Sequence, residues 1–526
     1  MIMNSGIMES PSTSVPGLLR RAARLAPATI AVAWPGGELT YRQLAERAAA
    51  VAALLPPATD GPEPIGVVAE HDATVPELYF GVMAAGHAVV PISARLPEHA
   101  VAKIAKAAGI RVGLIAPSAA HRRASLAETA DATRWLIHGE DERPASLPAE
   151  RRTLPAGTAM VAFTSGTTGE PKGVVLTHTN LTIHALTCAA VLGLGTPNVH
   201  VNPMPLAHFT GASRAIIAAV NGGTHVILPG FDPTAVYEAV AAWGGTHMAI
   251  VPTMAVDLLA ADPDRFDLRS LQTLVYGAAP MPMHVARELA QRLRCDLVNG
   301  YGLTESCAMA TVLDGQAHRD AITADDEQRL GSVGRAVPGM EVSIVGDDHR
   351  ELAPGEVGQI ALRGLKVSPG YLDRPEATAE RFLPSGWMLT GDQGHLSAAG
   401  DLTLAGRIDE MIISGGINVQ PGEIEIEALV HDGVASCAAF GVPSERWGHE
   451  VHLAVVVADG ARVSPEDLRS FLAGRLDRYK VPKVVHFLEE LPYTSVGKLQ
   501  RATLASRLTR RASETDARPT SGVPEP

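Results

Sequence analysis

Between the apolar runs Met160-Val-Ala-Phe163 and Val174-Val-Leu176 the chain inserts Thr164-Ser-Gly-Thr-Thr-Gly-Glu-Pro-Lys-Gly173. The flanking runs predict two buried strands, so this segment constrains the fold to a strand–loop–strand unit with a polar, glycine-rich loop. Glycines let the backbone turn so that successive N–H groups point into one concavity, and such a nest binds anionic oxygens. The hydroxyls of Thr164, Ser165, Thr167 and Thr168 add donors around Gly166 and Gly169, and Lys172 adds a mobile charge suited to phosphate. This is not a Walker A loop, because Pro171 precedes Lys172 and Gly173 follows it. A plain hairpin turn is the other reading, but such turns favour two to five residues.

The 526 residues suffice for two or three hydrophobic cores. At 46% hydrophobic and 19% charged residues the chain has the balance of a folded enzyme, not of a disordered one. The net charge is −13 and no Lys/Arg run is interleaved with aromatics, so a nucleic-acid partner is not expected. Cys188, Cys295, Cys307 and Cys437 are far apart and form no CxxC pair, which argues against a zinc site or disulfide framework and fits a reducing cytoplasm. The polar start, Met1 to Ser14, lacks the apolar region of a signal peptide, and no apolar run reaches the length of a membrane span.

Along the chain, helical spacing over Leu39–Leu55 with Thr40 as N-cap, and again over Glu77–Ala85 and Leu96–Ala108, alternates with short apolar runs. These are Ile65–Ala69, Ala88–Ile92 and Val112–Ile115, and the alternation predicts an α/β fold with a parallel sheet covered on both faces. Ala119–Ala156 has weak periodicity and is expected to be a surface excursion. The alternation resumes with a helix over Ala215–Val220 and strands at Thr224–Leu228, Met248–Val251, Leu271–Tyr276 and Leu297–Asn299. Ligands in open α/β sheets bind beyond the carboxyl ends of strands, so the last two strand ends mark where a site should assemble. From Gly331, short alternating segments between Gly/Pro/Asp turns suggest a small antiparallel β-barrel. After Arg407 a compact α+β domain follows. The expected division is 1–407, 408–512 and a disordered Pro/Ser/Thr-rich tail at 513–526.

Several short motifs carry chemistry. Tyr301-Gly302-Leu-Thr304-Glu305 places an aromatic at a strand end, able to stack on a planar base, beside a hydroxyl and a hard oxygen ligand for Mg²⁺. Taken alone it also fits a helix N-cap with a first-turn acid. Gly277-Ala278-Ala279-Pro280 and Thr390-Gly-Asp392 are, in isolation, turns. Gly406-Arg407-Ile-Asp409 leads into an apolar strand, the Gly415-Gly416 loop and a helix start. Lys498 stands in a Gly-Lys pair near the end. His208, in Pro203-Met-Pro-Leu-Ala-His-Phe-Thr-Gly211, fits either a site wall or a buried structural histidine.

These motifs, in this order and from about Val15 to Leu508, resemble the adenylate-forming superfamily of acyl-CoA synthetases, aryl-CoA ligases, luciferases and peptide-synthetase adenylation domains. The resemblance implies a large N-terminal domain of stacked mixed α/β sheets plus a small barrel, and a small mobile C-terminal domain. It implies that the Thr164–Lys172 loop binds ATP phosphates, that Gly277, Ala278 and Ala279 pass along the adenine, and that Tyr301 and Gly302 lie against it. Thr304 would meet the α-phosphate and Glu305 the Mg²⁺. Asp392 would hold the ribose hydroxyls, Arg407 ribose and phosphate, and Asp409 would be the hinge. Gly415 and Gly416 would line the path of the thiol, and His208 the wall between acyl and thiol sites. Lys498 would be the catalytic lysine, whose ammonium reaches both the carboxylate and the α-phosphate.

The implied reaction activates a carboxylic acid as acyl-AMP with release of pyrophosphate, and then transfers the acyl group to CoA. Where amino-acid-activating relatives carry a Phe-Asp pair, this chain has His208-Phe209, which disfavours an α-amino acid. No tryptophan lies between Trp243 and Trp387, so the bulky wall of acetyl-specific relatives is missing and a larger fatty or aryl acid fits. No carrier domain follows Lys498, so a carrier protein, the alternative acceptor, would act in trans; an unusual acid or nucleophile is a further alternative. A non-catalytic nucleotide-binding relative is disfavoured by the presence of Lys172, Glu305 and Lys498. An oligomer is compatible with all of this.

Overall fold

The computed structural model describes residues 14–56, 58–129, 133–141, 152–164, 171–195, 198–279, 281–415, 417–444, 446–458, 460–493, 499–501 and 503–508. The 513–526 tail lies outside them. By internal contacts the chain divides into two units: Met1–Val345 with Ile360–Thr390 and Leu396–Thr403, and Gly346–Gln359 with Gly391–His395 and Leu404–Pro526.

In the first unit a six-stranded sheet runs in the order Arg134–Ile137, Val112–Ile115, Pro64–Ala69, Ala88–Ser93, Thr158–Thr164, Lys172–Thr177. Its first five strands are parallel and the last pair antiparallel. Every residue of Pro64–Ala69 and Ala88–Ser93 is buried, as strands covered on both faces must be. The helix Tyr41–Leu54 starts where its sequence says it should. The Thr40 hydroxyl accepts from the amide of Gln43 at 3.3 Å, and the amide of Thr40 donates to Gln43 Oε1 at 2.9 Å.

The expected surface excursion at 119–156 is not what forms at its start. A 3₁₀ turn, Pro117–Arg122, leads into the helix Arg123–Thr129 and then the edge strand Arg134–Ile137. Only four residues long, the strand shows no period. Its hydrophobic anchor, Trp135, is 4% exposed and lies over Gly113 on the neighbouring strand, where a Cβ would come within 2.2 Å of the ring. The pairing is therefore written in a glycine on another strand.

A nine-stranded sheet carries the second half of this unit. Its order is Arg335–Ala336, Thr311–Leu313, Asp296–Tyr301, Thr273–Gly277, His247–Ile250, Val199–Asn202, Thr224–Ile227, Ile30–Trp34, Gly37–Thr40. The inner strands, from Asp296–Tyr301 to Ile30–Trp34, are parallel, with antiparallel strands at both ends. Helices Pro233–Trp243, Pro252–Ala260 and Met283–Leu293 pack on it through Val236, Tyr237, Val240, Leu258 and Leu289. Met340–Val345, Gly358–Gly364, Met388–Leu396 and Leu402–Arg407 make a four-stranded sheet in the region expected to be a small barrel.

The second unit has its own five-stranded sheet, ordered Ile417–Val419, Ile412–Ser414, Gly448–Val457, Val434–Ser444, with Val484–Phe487 also on Gly448–Val457. Successive strand residues point to opposite faces. Ala439, Leu453 and Val455 accordingly join Ile424 and Leu468 of the helices Pro421–Ala428 and Pro465–Ala473 in one core, while Ala438, Phe440 and Ala454 join Leu491 and Leu504 in another. The eleven-residue strand Val434–Ser444 was not legible as such: small residues, a glycine and Pro443 mask its alternation.

Candidate active site

Two neighbouring parallel strands end side by side, Thr273–Gly277 and Asp296–Tyr301, with Gly277 in register with Gly300. Ala278, the next residue, has φ +68°, a left-handed conformation that costs a non-glycine residue energy and recurs at functional turns. Beyond Tyr301 the chain folds back on itself at once. Ala308 donates to the Leu303 carbonyl at 2.8 Å and Ala310 to the Tyr301 carbonyl at 2.7 Å. A Cβ on Gly302 would sit 1.5 Å from the Ala308 oxygen, so only glycine allows this loop to close. Thr304–Ser306 is a single 3₁₀ turn with no side-chain cap from Leu303 before it, so the motif does not open a regular helix. Tyr301 and Glu305 are buried; Thr304 is half-buried.

The loop strands pair as an antiparallel hairpin, Thr164 opposite Lys172. The two readings of this segment are therefore compatible: the flanks are a hairpin, and the connection is longer than hairpin turns favour. Of the predicted loop residues, Thr164 and Lys172 are described and half-buried. Ser165, Gly166, Thr167, Thr168 and Gly169 lie outside the described residues, as do Gly416 and Lys498.

What joins the loop to the Tyr301 motif is a residue that sequence reasoning passed over. Tyr371 donates its hydroxyl to Glu305 Oε1 at 2.7 Å, and Lys172 Nζ stands 5.5 Å from the centre of its ring. One side chain thus touches both predicted phosphate-site charges. Its backbone is stitched in place: Tyr371 bridges Val174, Leu372 donates to Gly173 at 2.8 Å, and Val175 donates to Gly370 at 3.0 Å. Ser368 donates its amide to the Glu305 carbonyl at 2.7 Å and its hydroxyl to Val175 at the same distance. A Pro-Gly-Tyr sequence after a strand is the faint signal that could have marked Tyr371.

His208 precedes the short helix Phe209–Ala212 and is half-buried. Burial, helped by the charge of Arg95, lowers its pKa below the ordinary histidine value, so it is a neutral imidazole at pH 7.

In the second unit, Arg407 reaches Asp392 Oδ1 at 3.4 Å with one nitrogen and Asp409 Oδ1 at 2.8 Å with another, so three predicted residues converge. Burial alone would lower the Arg407 pKa. The hydrogen bond to Asp409 and the charges of Asp392, Asp409 and Glu410 outweigh it and raise it. Asp392 is buried, whereas Asp409 sits in the 3₁₀ turn Ile408–Glu410. Gly415 has φ +60° and donates its amide to the Trp447 carbonyl at 2.8 Å. The residues flanking 494–498 are tied down: Tyr493 bridges Leu499, and Gln500 donates to Pro492 at 2.8 Å. Arg501 donates to Glu410 at 2.6 Å and to both oxygens of Glu425 at 2.8 and 2.6 Å.

Comparison with known proteins adds three findings. A family model described as AMP-binding enzyme matches residues 19–372, and one described as AMP-binding enzyme C-terminal domain matches 423–498. The chain is 35% identical over 501 residues to a feruloyl-CoA synthase of Amycolatopsis sp, covering 93% of this chain and 97% of that protein. It is 33% identical over 506 residues to a long-chain-fatty-acid–CoA ligase of Mycobacterium tuberculosis, with the same shares covered. Among solved structures, an amide bond synthetase from Marinactinospora thermotolerans superposes with a TM-score of 0.84 at 30% identity, over 94% of this chain and 99% of that one.

Proposed function

The chain belongs to the AMP-binding enzyme family, and from that premise we propose that it is an AMP-forming acid–thiol ligase that makes acyl-CoA from a carboxylic acid, ATP and CoA. The observation that carries the reading is Tyr371 holding Glu305 while lying under Lys172, because a cation and a carboxylate fixed on one ring suit a metal–polyphosphate substrate. Similarity to two acid–CoA ligases over nearly the whole chain supports the same reaction.

In the first step a carboxylate oxygen of the acid attacks the α-phosphorus of ATP, and the bond to pyrophosphate breaks. Lys172 and the Thr164–Gly169 loop bind the departing phosphates, Thr304 donates to the α-phosphate, and Tyr301 stacks on adenine with the Gly277–Ala279 turn beside it. Glu305 is a fitting ligand for Mg²⁺, which prefers one or two carboxylates plus substrate phosphate oxygens and supplies charge neutralisation when bound. Tyr371 orients that carboxylate. Asp392 accepts from the ribose hydroxyls and Arg407 donates to ribose and phosphate. Lys498 brings the two reacting anions together and stabilises the charge that develops between them.

In the second step the thiol sulfur attacks the acyl carbonyl and AMP leaves. We assign the change between steps to rotation of 408–512 about Asp409, which withdraws Lys498 and admits the thiol along Gly415 and Gly416, past His208. Acid-dependent pyrophosphate release, screened over fatty and aryl acids with and without CoA, tests the proposal. Acyl-CoA formation is the expected result, and pyrophosphate release that no acid stimulates refutes it. A second reading is favoured by the amide bond synthetase likeness: an amine in place of the thiol. It predicts acyl-AMP with any suitable acid and product only when an amine is added. Loading of a carrier protein in trans predicts product only with that protein.

A further inference from the structure

Lys366 is fully buried, and Arg214 is 9% exposed. Lys366 donates to the carbonyl of Met309, and this is its hydrogen bond among the described residues. Arg214 Nε is buried without an acceptor, and the guanidinium makes no hydrogen bond or ion pair to any described residue. Among the described residues no carboxylate is paired with either charge. The groups that feel them are His184, Cys188 and Cys307, with His200, His225 and His247 on the strands beside Arg214. Burial pushes the Cys307 thiol up to about 12 and raises that of Cys188. It also lowers every one of the four histidines, so all of these groups are neutral at pH 7. A guanidinium does not shed its proton in a protein, so Arg214 remains a buried cation without a counter-ion among the described residues. That is among the costliest arrangements an interior can hold, and folds keep it where something anionic completes it.

The cluster adjoins the His208 segment, proposed as a wall of the acyl site, and the loop proposed to hold the nucleotide's phosphates. Arg214 begins the helix Arg214–Asn221, directly after the short helix that follows His208, and the Phe209 ring packs on His184 at 5.3 Å between centroids. The carbonyl that takes Lys366 belongs to Met309, on the return arm of the Tyr301–Glu305 loop. Asn180 holds the Lys366 turn by donating to the carbonyls of Leu365 at 2.8 Å and Val367 at 3.1 Å.

We propose that the acid activated by this enzyme is a dicarboxylic acid, and that Arg214 and Lys366 receive its second, unreacted carboxylate. This deepens the acid–thiol ligase reading and rests on it. An Arg–carboxylate contact can be bidentate and charge-assisted, which gives both affinity and selection against an acid with a neutral tail. The two carboxylates have different fates: one forms a bond from its oxygen to the α-phosphorus as pyrophosphate leaves and becomes the mixed anhydride, while the other keeps its charge throughout.

The test compares linear diacids from succinate to suberate, and terephthalate, with the monoamide of each, in acid-dependent pyrophosphate release. The readout is the diacid-to-monoamide ratio of kcat/KM, which is independent of the fraction of active enzyme. At least one pair should favour the diacid about tenfold or more in the wild type. Arg214→Met and Lys366→Met should each reduce that ratio about tenfold. Monoamides or plain fatty and aryl acids adenylated as well as every diacid by the wild type would overturn the proposal while leaving the ligase reading intact, and this outcome requires no variant to fold. A ratio unchanged by both substitutions would overturn the assignment of the two cations. Pyrophosphate release stimulated by no acid at all would remove the ligase reading itself.

Discussion

Replacing Tyr371 by phenylalanine removes one oxygen and leaves the ring on which Lys172 rests. The lost contact is a 2.7 Å hydrogen bond to a carboxylate, between partners exposed by only 7% and 8%. Hydrogen bonds to charged groups contribute about 1.5–3 kcal/mol, and each 1.4 kcal/mol is a factor of ten. If Glu305 serves the metal–nucleotide, the freed carboxylate loses its orientation, and kcat/KM for Mg-ATP should fall about tenfold to a hundredfold. Raising free Mg²⁺ should recover part of the loss, because the defect is in holding the ion and not in binding the acid. Tyr371→Leu, which also removes the ring beneath Lys172, should cost more, and the excess should appear in ATP affinity. The assay is initial-rate pyrophosphate release over crossed Mg²⁺ and ATP concentrations, with acid saturating. A Tyr371→Phe enzyme with wild-type Mg²⁺ dependence would refute the assignment of Glu305 and Tyr371 to the metal–phosphate site.

Other outcomes follow from the same geometry. Lys172→Ala should raise the KM for ATP without lowering the melting temperature, since the side chain is half-buried and its partner is a ring face; unchanged ATP dependence would count against the loop assignment. Lys498→Ala should slow adenylation about a hundredfold or more and spare thioester formation from supplied acyl-adenylate, while Asp409→Pro, by fixing φ at the hinge, should do the reverse; equal damage to both half-reactions in both variants would sink domain alternation. Arg501→Met leaves Glu425, 8% exposed, with no guanidinium, and should destabilise the C-terminal unit by about 3–5 kcal/mol. Calorimetry in which no transition of the variant falls below its wild-type temperature would refute that.

Much of the fold was legible because its strands are buried on both faces and its helices carry their own start signals, as Thr40 and Gln43 do. The elements that were missed share a cause. Arg134–Ile137 is a strand because Gly113 makes room for Trp135, and Val434–Ser444 is one because Gly448–Val457 pairs along it. Neither fact is local. A short or small-residue strand has too little periodic signal of its own, and its partner supplies the decision.

The same distinction separates the parts of the site. Lys172, Tyr301 and Glu305 stand in dense, locally peculiar sequence, where glycine and hydroxyl residues serve backbone geometry and phosphate contacts at once. Gly302 is a case where the local requirement can be measured, as a Cβ there would overlap the Ala308 oxygen. Tyr371, Arg214 and Lys366 have no such surroundings. Their chemistry arises from groups far away in the chain: a carboxylate at Glu305 that needs a donor, or two buried cations paired with no carboxylate among the described residues. Of these, Tyr371 belongs with the nucleotide, whereas Arg214 and Lys366 are proposed to meet the acid, where a cation would select which acid is accepted without touching how ATP is held. On that proposal, the two residues that select the acid are among those least visible in the chain's motifs.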